Sequence, residues 1–192
     1  MANFFRQQAS GNGPIDERYV MERRYNSARM NLLLAMILTF INIVMTMLGT
    51  GTYFLFSIFV PYYVVDMGWF LCGKYPAEYY AEFGEMEFLP DSFLITMVVI
   101  AAVVLVLYLL AWVFSKKHVG WMIFALVFFA IDTLAMILIY LDAGIDAGVI
   151  VDLVFHIWVF VYLILGVQAN AKLKKLPPEE EEPVTPEPAE NE

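Results

Sequence analysis

Three ionisable side chains interrupt otherwise apolar runs in the C-terminal half of the chain: Asp132, Asp152 and His156. An isolated charge at the centre of a bilayer costs at least about 2.5 kcal/mol on insertion scales, so such a residue needs partners or a task. Asp152 and His156 are four positions apart and share one helix face. At about 1.5 Å per residue, Asp132 and His156 lie about 13 Å and 12 Å below the outer ends of their runs. Asn42, in the first apolar run, lies about 9 Å deep by the same rise. If their faces turn inward, the four groups form one intramembrane polar cluster.

Three kinds of chemistry suit that cluster. The first is interhelical hydrogen bonding, in which a carboxylate accepts from an imidazole and an amide in lipid. The second is a proton or cation site, since an Asp and His pair in low dielectric can exchange a proton near neutral pH. The third is a membrane-embedded, metal-dependent hydrolytic centre with Asp132, Asp152 and His156 as ligands or base. That reading is the weakest on donor chemistry, because zinc favours more nitrogen or sulfur and no motif marks a nucleophile. The sequence specifies no catalytic residue, no cofactor and no metal site.

The elements that must position these residues follow from composition. Of 192 residues 61% are hydrophobic and only 16% charged, which excludes a soluble single domain and whole-chain disorder alike. Residues 92–114, 120–141 and 148–168 are each long enough to cross about 30 Å of hydrocarbon as a helix, and residues 30–48 form a shorter fourth run. No alternating pattern suggests barrel strands. The expected fold is an all-α integral membrane protein, a four-transmembrane-helix bundle. Residues 115–119 and 142–147 are its short loops, and Trp112 and Trp121 flank the first of them as interfacial aromatics do.

The stretch 52–72 is apolar and aromatic but broken by Pro61 and ended by polar residues. If it does not cross, ten of the eleven basic residues share one side with only Lys74 opposite; if it crosses, the split is six to five. The positive-inside rule favours the first arrangement. The segment is therefore expected as a re-entrant or interfacial element on the outer face, within an extracytoplasmic region 49–91 and with both termini cytoplasmic. Residues 1–29 read as a cytoplasmic N-terminal segment, partly an interfacial helix from Asp16 to Arg29, and not as a cleaved signal peptide.

Residues 169–192 form a basic and then acidic tail, expected to be disordered because it holds seven of the 20 acids and almost nothing to bury. Asp66, Glu78, Glu82, Glu85, Glu87, Asp91, Asp142 and Asp146 would face the outer side, where they solvate a loop or concentrate cations. Cys72 is the single cysteine, so no intrachain disulfide can form. His118 reads as a headgroup-facing loop residue, and Trp158 as bundle packing near His156. The function expected is that of a structural or accessory membrane subunit, with a proton- or cation-coupled transport component as the alternative. A plasma membrane, most simply a bacterial inner membrane, is the expected site. The partners are the bilayer, a further protein or a second copy, and no nucleic acid.

Overall fold

The computed structural model describes residues 14–52, 56–144 and 146–177. The acidic tail after Pro177 and the first 13 residues lie outside them, as do the expectations made for them. Five α-helices run in order: α1 Pro14–Met47, α2 Phe59–Leu71, α3 Asp91–Ser115, α4 Val119–Ala143 and α5 Ala147–Leu173, with a 3-10 turn at Ala77–Tyr80. Four are long and apolar enough to cross a membrane, at 31, 25, 24 and 27 residues for α1, α3, α4 and α5. The described residues form an all-helical bundle whose four long apolar helices suit a membrane. Its outward faces carry large apolar side chains such as Ile95, Val103, Ile131 and Val154, each more than half exposed, a surface that water would not tolerate at this extent.

The first helix begins well before the apolar run, because Pro14 sits at its start, where a missing N–H costs nothing, and no breaker follows before Gly49. The polar half of α1 is bound to the α3–α4 turn. The Tyr25 hydroxyl donates to the Ser115 carbonyl at 2.5 Å and Arg29 donates to the Trp112 carbonyl at 3.1 Å, placing donors and a cation on the carbonyl end of α3. The Arg29 guanidinium also lies 5.4 Å from the Trp112 ring centre. At the opposite end of α4, Asp146 caps α5 by accepting from the Val149 N–H at 2.8 Å.

Helices that are equally apolar all round gain little by leaving lipid for one another, so close packing of small residues has to hold them. The most extensive pairing is α1 with α5. There a Cβ added to Gly166 would stand only 2.5 Å from the Cβ of Ala28. The core continues through Leu32, Ala35, Ala111, Ala125, Phe129 and Val159. The end of the bundle where α1 stops and α3 starts carries a further helix between those two and is called the broad end. It holds α2 and the loop 72–90, which is fixed to α2 by the Leu89 N–H on the Leu71 carbonyl at 2.9 Å.

Candidate functional site

The half-length helix α2 begins inside the bundle. Its N-terminus lies about 12–16 Å from the broad end, judged by Thr39 on α1, His156 on α5 and Asp132 on α4 at 1.5 Å per residue. Every helix start leaves about four backbone N–H groups without partners, and when buried they must be supplied from elsewhere. The side chain of its N-cap residue, Ile58, does not do so. The Ile58 N–H donates to the Thr39 hydroxyl at 2.7 Å. The Phe59 N–H donates to Asp132 Oδ2 at 2.9 Å and the Val60 N–H to Asp132 Oδ1 at 2.8 Å. The fourth position is Pro61, which has no N–H. All four places are thus accounted for, and the proline that interrupts the apolar run sits where a helix tolerates it.

The chain entering this helix is non-helical and is held in the same manner. Phe56 has φ of 93°, a left-handed conformation that costs a non-glycine residue of the order of 1–3 kcal/mol. Its N–H donates to Asp152 Oδ1 at 3.1 Å and its ring packs against Phe155 at 5.3 Å, contacts that over-determine the turn. The next carbonyl, Ser57, can only accept, so His156 Nε2 donates to it, at 3.1 Å. His156 Nδ1 faces the Thr133 hydroxyl at 2.9 Å, and the ring stacks on Phe129. Thr39 serves twice, donating to the Ala35 carbonyl at 2.7 Å while accepting from Ile58. Three long helices therefore contribute one polar side chain or more each to a single stretch of backbone, residues 56–60.

Asp132 and His156 are both almost fully buried, and Asp132 Oδ2 is 3.9 Å from His156 Nδ1. That separation allows attraction but not a hydrogen bond. Asp152 stands one turn nearer the broad end than His156 and is half-buried. Asn42 is fully buried one turn along α1 from Thr39, on the same face. The Tyr108 hydroxyl of α3 is fully buried within electrostatic reach of Asp132, with no hydrogen-bond partner among the described residues.

One placement differs from that expected. Trp158 is 42% exposed and packs on Tyr162 at 5.6 Å along the outward face of α5. Two residues from His156 means about 200° around a helix, so one of the pair must face outward. Cys72 is buried with its thiol on the Pro90 carbonyl, which leaves it poorly placed for lipidation or intermolecular pairing. His118 is exposed at the start of α4. Thr39, Thr133 and the Ser57 carbonyl were not expected in the cluster. For Thr39 a signal existed, since it lies three residues before Asn42 on one face. For a backbone carbonyl no side-chain pattern carries a signal.

Among the described residues no group of three His, Cys, Asp or Glu side chains is close enough together to hold a metal ion. Compared with known proteins, the chain matches no family model, no curated protein and no solved structure.

Proposed function

We propose that the chain is a structural or accessory subunit of the plasma membrane whose intramembrane polar residues seat a re-entrant segment. The observation that carries this reading is the complete provision for the start of α2 by Thr39, Asp132 and Pro61. Irregular backbone at membrane depth is tolerated only where protein or a water-filled cavity satisfies it. Here Asp132 spends both carboxylate oxygens on that duty. The tip of the segment lies roughly halfway through about 30 Å of hydrocarbon, and its helix of 13 residues, about 20 Å long, returns to the side from which the chain entered. With the basic residues of α1, the α3–α4 turn and the end of α5 on the side opposite the broad end, that side is cytoplasmic.

Single cysteines at Ser10, Glu82 and Thr185 in a Cys72→Ser background check this orientation. An impermeant thiol reagent on whole cells is expected to label position 82 alone. Labelling at 185 without 82 would invert the topology.

A second reading, a proton- or cation-coupled component, is favoured by one observation: the His156 network has a consistent arrangement in two protonation states. With Nδ1 bare, the Thr133 hydroxyl donates to it; with Nδ1 protonated, it donates to Thr133, whose hydroxyl then turns to the Phe129 carbonyl 2.8 Å away. Purified protein in liposomes under a pH gradient separates the two readings. The structural role leads to flux no greater than in empty liposomes, for the wild type and for Asp132→Asn alike. A wild-type flux that Asp132→Asn abolishes while the protein stays folded would transfer the conclusion to the second reading. Affinity purification in mild detergent is expected to recover a stoichiometric protein partner or a second copy.

A further inference from the structure

The broad end holds a second feature, separate from the Asp132 cluster. The end of α1, the residues just after it, one face of α2 and the loop after α2 line a half-open cavity of about 510 Å³. Its wall is aromatic, with Tyr62 and Phe70 from α2 and Tyr75, Tyr79 and Phe83 from the loop, and a single carboxylate, Asp66, stands among them. Tyr75 and Tyr79 stack with ring centres 5.0 Å apart, and Phe83 meets Phe70 edge-on at 5.3 Å. The Tyr75 hydroxyl donates a short hydrogen bond to Asp66 Oδ1, and the Tyr62 hydroxyl also bonds to that carboxylate.

Asp66 is a half-buried acid with no ion pair among the described residues. The nearby cation, Lys74, is engaged with Asp91 at 2.7 Å. Burial pushes the Asp66 carboxyl above the ordinary carboxylate range, against the pull of the two tyrosine hydroxyls. Burial and the Asp66 carboxylate raise the Tyr75 hydroxyl in turn, which keeps it a donor. Glu78, Glu82, Glu85 and Glu87 are on the same loop, with Lys74 the one base between Asp66 and Asp91. Their field draws cations to this end.

An anion would meet Asp66 and these glutamates. A metal ion would find Asp66 as the one carboxylate among the described lining residues and no group of three acidic, thiol or imidazole donors. A small hydrated inorganic cation gains little from ring faces, whereas a diffuse organic cation gains from each ring and from the carboxylate together. We propose that this cavity binds an organic cation of the alkylammonium class, its charge set against Asp66 and the rings of Tyr62, Tyr75 and Tyr79. The group arrives either as a free solute or as the headgroup of a lipid in the outer leaflet.

The test uses the full chain in an uncharged maltoside detergent, with tetramethylammonium chloride titrated calorimetrically at constant ionic strength. Saturable binding is expected with a dissociation constant on the order of 1 mM, an affinity suited to so small a ligand. The neutral isostere tert-butanol should not compete. Asp66→Asn should weaken binding by about tenfold or more, and Tyr79→Leu by a comparable factor, since each removes one of the attractions a cation would feel. Tyr79 is 54% exposed, so its variant folds and decides the matter even if Asp66→Asn does not. Absence of saturable binding, equal binding of tert-butanol, or an unchanged affinity in Tyr79→Leu would overturn the proposal. Nanodiscs distinguish the sources of the group. Equal affinity in phosphatidylglycerol and phosphatidylcholine discs identifies a free solute, whereas loss of tetramethylammonium binding only in phosphatidylcholine identifies a lipid headgroup already in place.

Discussion

Asp132→Ala is expected to unseat α2 and to produce the largest loss of stability of any single substitution in the chain. The change leaves the Phe59 and Val60 N–H groups buried with no acceptor. Each unmade bond of this kind costs about 1–3 kcal/mol, so the pair costs about 2–6 kcal/mol, comparable with the whole stability of many domains. Two graded variants place the effect on the cap and not on general packing. Asp132→Asn retains one carbonyl oxygen and should lose about half as much. Thr39→Val keeps the shape but removes the acceptor for Ile58, and should cost about 1–3 kcal/mol. Denaturation of the purified protein in mixed detergent micelles gives all three values. An Asp132→Ala protein within about 0.5 kcal/mol of the wild type would show that the start of α2 does not depend on this carboxylate.

Widening the α1–α5 contact is expected to have the second largest effect. Carbon atoms pack at about 3.5–4.0 Å, and a methyl on Gly166 would begin 2.5 Å from Ala28 Cβ. Gly166→Ala must push apart the most extensively paired helices in the bundle, at a cost of about 1–3 kcal/mol, and Gly166→Leu should cost more. Because the contact is between two atoms, it predicts its own rescue. Ala28→Gly combined with Gly166→Ala should recover most of the loss, less the roughly 1 kcal/mol that glycine costs inside a helix. Thermal unfolding of the two single variants and the pair supplies the coupling energy. Purely additive effects would mean that the helices separate there without resistance.

The long helices were legible because their signal is local. A run such as residues 92–114 excludes water from every side of the backbone, and only a helix then pairs all its N–H and C=O groups. The polar exceptions stood out for the same reason: Asp132, Asp152 and His156 are conspicuous only against apolar neighbours. The extent of α1 was less legible, since the polar residues before Met30 resemble a solvated lead-in until Tyr25 and Arg29 are seen on the end of α3.

What the sequence determined by itself, then, is the set of four apolar helices and the three places where an ionisable group interrupts them, both properties of composition and short-range period. The partners of those groups were decided by tertiary structure alone. The hydrogen bonds that the Phe59 and Val60 N–H groups donate to Asp132 span more than seventy residues, and what they satisfy is backbone, which is chemically the same at every position but proline. Side-chain patterns show where an acceptor has been placed in an apolar run. Which backbone donors reach it depends on where residues 56–60 sit inside the bundle, and that follows from packing and not from any residue type.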